Sequence, residues 1–179
     1  MSLIVHINGW PGCGKLTIAR VLTKMLDGRL VDNHTLLNPA ECLFDRGDPG
    51  HGKLRKAVRF LVFEHMVELP TNKALVFTDA LADGDWDRAM FEDCRRLAAK
   101  RGARLVSAVL SCDADENRRR LVSPARAELH KLVRIDVLDE LRAKYRLLRP
   151  DGIALIELDV TALSAEAAAA ALYEFCARQ

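Results

Sequence analysis

The chain has 179 residues, half of them hydrophobic and 29% charged, with a net charge of +2. That balance excludes a disordered polymer, and the length suits one domain with a substantial core. The charge is too mild to imply nucleic acid by itself, and no apolar stretch reaches bilayer length.

Leu3–Asn8 reads as a first strand, and a helix is expected from about Lys15 to Leu26, with Ile18, Ala19, Val21, Leu22, Met25 and Leu26 at helical spacing. Asp27-Gly28 breaks the chain before a short second strand, Arg29–Asp32. A helical stretch near Pro39–Phe44 leads into a glycine-rich loop over Asp45–Gly52. Lys53–Leu69 reads as a helix that Pro70-Thr71-Asn72 stops. Ala74–Thr78 is a continuous apolar third strand, of the kind buried on both faces of a parallel sheet. Asp83 is expected to cap a helix ending near Gly102, and Arg104–Ser111 makes a fourth strand. Helices over about Asp115–Val122 and Arg134–Leu147 flank Ser123-Pro124. Ile153–Leu158 is a fifth strand, and Ser164 opens an alanine-rich final helix. Strands alternating with helices in one compact chain imply a parallel sheet covered on both faces.

Between the first strand and first helix lies Gly-Trp-Pro-Gly-Cys-Gly-Lys-Leu-Thr, residues 9 to 17. Gly9, Gly14 and Lys15 fit the G-x-x-x-x-G-K spacing of a phosphate-binding loop, in the strand-to-helix context that the motif needs. Glycines let successive N–H groups turn inward toward phosphate oxygens, the lysine adds a cation, and the following helix directs its positive end at the same anion. Gly9, Pro11, Gly12, Cys13, Gly14, Lys15, Leu16 and Thr17 are therefore the candidate nucleotide-binding residues. A dinucleotide fingerprint fits less well, because the glycines fall at 9, 12 and 14. The hydroxyl that normally follows the lysine and ligates magnesium is replaced by Leu16, and Thr17 comes one residue late. The five cysteines (13, 42, 94, 112 and 176) are scattered without C-x-x-C pairing, which points to a reducing cytoplasm rather than to disulfides or zinc. Leu3–Ile7 is too short for a signal-peptide core and lacks a basic start.

In parallel sheets ligands bind at the carboxyl ends of strands. Asp32-Asn33-His34 follows strand two, and Thr78-Asp79 closes strand three. Asp79 is placed to hold Mg²⁺ through water, or else to serve as a turn residue. Asp32 is the candidate base for an acceptor hydroxyl, with His34 as the alternative. Arg55 and Arg59, four apart on one helix face, could grip an anionic or polar acceptor or belong to a solvated face. The basic run over 118–126, extended by Lys131 and Arg134, suits a lid that brings cations onto a developing phosphoryl charge. Its alternatives are a solvated basic helix and an RNA-binding patch, though the scarcity of aromatic residues argues against nucleic acid.

Together, Gly9–Lys15, Asp32, Asp79 and Arg120-Leu121 with Arg126 resemble the small P-loop kinases of the shikimate kinase, gluconate kinase and chloramphenicol phosphotransferase group, AAA-family ATPase-like proteins. The resemblance spans nearly the whole chain. It implies an α/β P-loop NTPase three-layer sandwich with a five-stranded parallel sheet in order 2-3-1-4-5 and helices on both faces. A single domain over 1–179 would carry a substrate-binding excursion over 33–72 and a lid over 118–134. By that resemblance Lys15 and the loop amides hold the phosphates of ATP, Arg120 and Arg126 close over them, and Asp32 lies where acceptor-binding acids lie. The turn Asp159-Val160-Thr161 would pass near adenine. The sequence departs at Leu16, and Asp79-Ala80-Leu81 stands where a glycine-rich triplet would help hold shikimate. The expectation is an ATP- and Mg²⁺-dependent phosphotransferase in the cytoplasm, acting on a small-molecule hydroxyl, with no membrane or nucleic-acid partner, as a monomer or homodimer. A nucleotide-binding protein without transfer activity, marked by Leu16, and an RNA-directed kinase or binding module remain the rival readings.

Overall fold

The computed structural model describes residues 2–124 and 132–179. Five strands, β1 (Leu3–Gly9), β2 (Arg29–Asp32), β3 (Leu75–Asp79), β4 (Arg104–Ser111) and β5 (Ala154–Asp159), form one sheet in the order β2-β3-β1-β4-β5. Every pairing is parallel. The described helices are α1 (Lys15–Met25), α2 (Asn33–Glu41), α3 (Pro49–Met66), α4 (Asp85–Arg101), α5 (Ala114–Leu121), α6 (Ile135–Lys144) and α7 (Ala165–Arg178). The observed architecture is thus the three-layer sandwich and strand order that the resemblance implies.

Strand alternation sends successive side chains to opposite faces. Leu3, Val5 and Ile7 of β1 join Val76, Val106, Ala108 and Leu110 under α1 and α7, where Leu22 and Leu172 complete the layer. Ile4 points the other way, with Leu75, Phe77 and Leu105, against Phe63 of α3 and Phe91 of α4. Each such buried side chain contributes roughly 1.5–3 kcal/mol relative to exposure. His6 and Asn8 share the face of Ile4, so two polar groups sit within the second layer. Asn8 is fully occupied there: its amide donates to the carbonyls of Leu81 and Leu148 at 2.9 and 3.1 Å and accepts from Leu81 N at 2.8 Å.

Two boundaries on the excursion between β2 and β3 differ from expectation. α2 begins at Asn33 rather than near Pro39, because Asp32 caps it, with Oδ1 accepting from His34 N at 2.9 Å. Pro39 lies inside the helix instead of opening it. α3 starts at Pro49, with Asp48 as its cap, so the expected loop over 45–52 is half helix. A Cβ on Gly50 would come within 2.6 Å of the ring of Phe44, an exposed side chain that would have to move aside. α3 ends where Arg101 of α4 reaches across, donating to the carbonyls of Met66, Leu69, Pro70 and Lys73 at 2.5–3.3 Å. α4 opens on Gly84 rather than on Asp83, which pairs with Arg88. No helix among the described residues is long and apolar enough to cross a membrane.

Candidate functional site

The phosphate-binding candidate is built by the end of β1. The chain leaves the sheet at Gly9, turns with Cys13 N donating to Trp10 O, and enters α1 at Lys15. Gly12 and Gly14 take φ values of +91° and +93°, a region that side-chain-bearing residues rarely enter. Gly14 is the cap of α1 and brings no side chain to its first-turn N–H groups, which leaves that end suited to an anion. Lys15 Nζ folds over the loop, donating to Gly9 O at 2.6 Å and Trp10 O at 2.9 Å. Cys13 is buried beneath it, and a Cβ on Gly9 would meet its sulfur at 2.8 Å. Cys13 therefore acts as a small packing residue under the loop.

A single cleft of about 960 Å³ runs from this loop to the α2–α3 excursion. Pro11, Gly12, Gly14, Lys15, Leu16 and Thr17 line one end, while Asp32, His34, Arg55 and Asp79 line the other, and Arg120 joins them. Gly9 and Cys13 lie below it rather than in its wall. Asp32 faces the cleft while capping α2, and its Oδ2 accepts from Thr35 Oγ1 at 3.1 Å. His34 Nδ1 lies 3.3 Å from Asn38 Oδ1. Arg55 Nη2 donates to Asn33 Oδ1 at 3.3 Å, and burial is the main influence that lowers its pKa.

Arg59 is not brought to this cleft. It is 2% exposed, so it is no solvated-face residue either. Its Nε donates to Asp93 Oδ2 at 3.0 Å and its Nη2 to Met90 O at 2.8 Å, which ties α3 to α4. Burial pushes the neighbouring Cys94 thiol up to about 12, which leaves it inert.

Asp79 is buried at the tip of β3, with Oδ2 3.3 Å from Nε2 of His6 on β1. The other nitrogen of that ring lies 3.4 Å from Ser107 Oγ on β4, so three adjacent strands are cross-linked by side chains. Burial alone would raise the Asp79 pKa. The hydrogen bond from His6 and the charges of Arg59 and Arg55 outweigh burial and hold it below the ordinary carboxylate range.

The arginine run begins inside α5, which Asp113 caps by accepting from Asp115 N and Glu116 N. Arg118 pairs with Asp115 and Asp139, and Arg119 and Arg120 both pair with Glu116, whose pKa falls to about 2 chiefly through its hydrogen bond with Arg119. Arg120 also donates to the carbonyls of Val160 and Thr161 at 3.1 and 2.8 Å. Its Nη1 lies 3.8 Å from where a Gly14 Cβ would stand. It is thus held by the turn after β5 and stands beside Gly14 of the candidate phosphate-binding loop. Arg126, and the part of the expected lid over 125–131, lie outside the described residues.

Sequence reasoning missed several groups. Asn117, wholly buried, donates to Pro11 O at 2.9 Å and accepts from Arg142 Nη1 at 2.9 Å, which clamps the loop to α5 and α6. A lone asparagine in a basic run carries no signal of that kind. His51, Asp87 and Trp86 also line the cleft. Asp87 reaches back from α4 to accept from Ala82 N at 2.8 Å, and burial raises its pKa. His51 comes from Gly-His-Gly at 50–52, within the expected glycine-rich loop, and is buried by the early start of α3.

No protein-family model matches the chain, and no curated protein matches it. Solved structures do share its fold. A protein of Chloroflexus aurantiacus is 13% identical with a TM-score of 0.72, over 97% of this chain and 98% of that one. A sugar kinase from Janibacter sp. is 17% identical with a TM-score of 0.64, over 98% and 94%. The APS kinase of Mycobacterium tuberculosis, solved with AMPPNP and APS, is 17% identical with a TM-score of 0.61, over 97% and 96%. At these identities the likeness is one of fold, that of the P-loop kinases.

Proposed function

We propose that the protein transfers the γ-phosphoryl group of ATP to a hydroxyl of a small metabolite. The observation that carries this reading is the single cleft in which a phosphate-binding loop faces carboxylates and an arginine from the β2–β3 excursion. Phosphoryl transfer asks mainly for positioning and for cations on the transferring group. Lys15, the loop amides and Arg120 supply the nucleotide end. The excursion over 33–72 supplies the acceptor end, where Asp32 orients the acceptor hydroxyl and His34, Arg55 and Asp79 line the pocket. The acceptor oxygen bonds to the γ-phosphorus as its bond to the β-phosphate oxygen breaks. The hydroxyl proton passes toward Asp32, and ADP leaves. Each Asp32 oxygen already accepts one hydrogen bond, and a carboxylate retains further lone pairs for the acceptor. The sugar kinase and APS kinase that share the fold support a small polar acceptor by their names.

The nucleotide fits the residues present, because Gly12 and Gly14 hold the positive φ values that turn the loop and Gly14 leaves the first-turn N–H groups of α1 without a side-chain cap. A magnesium ion held by the protein does not. Leu16 offers no oxygen, and the Asp79 carboxylate is engaged by His6 within the field of two guanidiniums.

ADP release is the test, measured with ATP and a panel of sugars, sugar acids and shikimate. At least one acceptor should raise the rate, and Lys15→Ala should lower it by roughly 10²–10³-fold, the scale of losing one transition-state cation or donor. Undiminished turnover in Lys15→Ala would sink the proposal. The poor metal site favours one rival, nucleotide binding without transfer, and that rival predicts ADP release indifferent to every acceptor.

A further inference from the structure

We infer that this cleft neutralises a nucleotide's polyphosphate with its own cations, and that a magnesium ion adds little to nucleotide affinity. The inference rests on the nucleotide reading above and goes beyond it.

Residue 16 of the loop and Asp79 at the end of β3 are the two positions from which the fold would bring a divalent ion to the phosphates. The other carboxylates lining the cleft, Asp32, Asp48 and Asp87, accept hydrogen bonds from His34 N and Thr35 Oγ1, from Asp45 N and from Ala82 N. The loop position holds Leu16, whose side chain forms part of the cleft wall and carries no donor. At β3, Asp79 is 2% exposed and hydrogen-bonded to His6, whose ring is anchored in turn against Ser107. Arg59 is fixed to Asp93 and Met90 from α3, and Arg55 stands on the cleft side of the same helix. A magnesium ion drawn to Asp79 would therefore meet a carboxylate already balanced by fixed guanidiniums, and like charges crowded at one buried carboxylate repel. Among the described residues, no group of three His, Cys, Asp or Glu side chains converges on a metal position.

The opposite holds where the phosphates would lie. Lys15, Arg20, Arg119 and Arg120 all reach the cleft at its loop end. Arg119 and Arg120 share one ion-pair partner, Glu116, so two guanidiniums stand against a single paired carboxylate. Guanidiniums suit phosphate oxygens through their planar fork of donors, and unlike a hydrated ion they are already in place. The hydroxyl lost at residue 16 and the carboxylate committed at residue 79 are two parts of one arrangement, in which arginine and lysine carry the load.

The experiment is calorimetric titration of AMPPNP, which is not turned over, into the full chain in 5–10 mM MgCl₂ (about that range) and in excess EDTA. The dissociation constants should agree within about threefold. Tightening by magnesium beyond that would overturn the inference while leaving nucleotide binding intact. No binding in either buffer would overturn the nucleotide reading and this inference with it. Leu16→Ser restores the missing oxygen and should make the magnesium-to-EDTA ratio about tenfold larger than in the parent. An unchanged ratio in a folded Leu16→Ser protein would remove Leu16 from the explanation.

Discussion

A methyl group at residue 12 would meet the side-chain nitrogen of Asn117 at 2.6 Å and its carbonyl at 3.0 Å, at a backbone position where φ is +91°. Gly12 is thus required twice, by conformation and by the clamp that Asn117 makes on Pro11. Gly12→Ala should destabilise the fold by about 2–3 kcal/mol, the scale of a strained φ plus a close contact. It should also weaken nucleotide binding, because the loop must shift away from α5. Chemical denaturation together with AMPPNP titration checks both, and native-like values in each would show that Asn117 yields instead. Residue-scale need of this kind is half legible from sequence. The glycine spacing announces the turn, but nothing in the run Asn117-Arg118-Arg119-Arg120 reveals that the asparagine, rather than an arginine, touches the loop.

At the scale of elements, the polar side chains within the sheet tie strands together. His6 on β1 links Asp79 on β3 to Ser107 on β4, and it also meets Phe91 of α4 edge-on at 5.0 Å. His6→Leu would leave the Asp79 carboxylate buried without that partner, at a cost of about 3 kcal/mol or more. The pH dependence follows from the direction of the Asp79 shift. A carboxylate held below its ordinary value stabilises the fold above a pH of about 4 and loses that contribution as pH falls through its lower folded value. Without His6, burial dominates, the carboxyl takes up its proton at higher pH, and the acid unfolding midpoint should move upward. An unmoved midpoint, read by circular dichroism across acid titration, would mean that Arg59 and Arg55 suffice. The sequence placed Asp79 at the end of a strand, to hold Mg²⁺ through water or to serve as a turn residue. It could not show that a histidine on the neighbouring strand, two residues before the register partner Asn8, would engage it.

For the molecule as a whole, the sheet is clamped by two apolar layers, and the cleft opens along the carboxyl ends of its strands. A ligand seated there contacts the loop, the excursion and α5 together, so binding should raise global stability rather than order one segment. Nucleotide at a hundred times its dissociation constant adds about 2.7 kcal/mol to a single-site protein, which for a chain of this size corresponds to a Tm increase of about 5–10 °C. Differential scanning fluorimetry with and without ATP measures it, and a flat response at saturating nucleotide would contradict the proposed site. Within the basic run, which in sequence could belong to an RNA-binding surface, Arg118, Arg119 and Arg120 are each ion-paired, to Asp115 and Asp139 or to Glu116. Steep salt dependence of nucleic-acid binding is not expected from it.

The sequence by itself determined the alternation of strands and helices, the candidate phosphate-binding loop and the presence of Leu16 where that motif carries a hydroxyl. These are local facts, set by hydrophobic period and by residues adjacent in the chain. The strand order came only through resemblance, and the sheet itself decides it by pairing residues far apart in the chain. Tertiary structure also decided which charges are available. Arg55 and Arg59 are equivalent in spacing, yet one turn of helix sends Arg55 to the cleft and Arg59 into the layer beneath α4. Burial and the partner across the interface, neither of them encoded in local spacing, determine whether a charged side chain faces a ligand or holds two helices together.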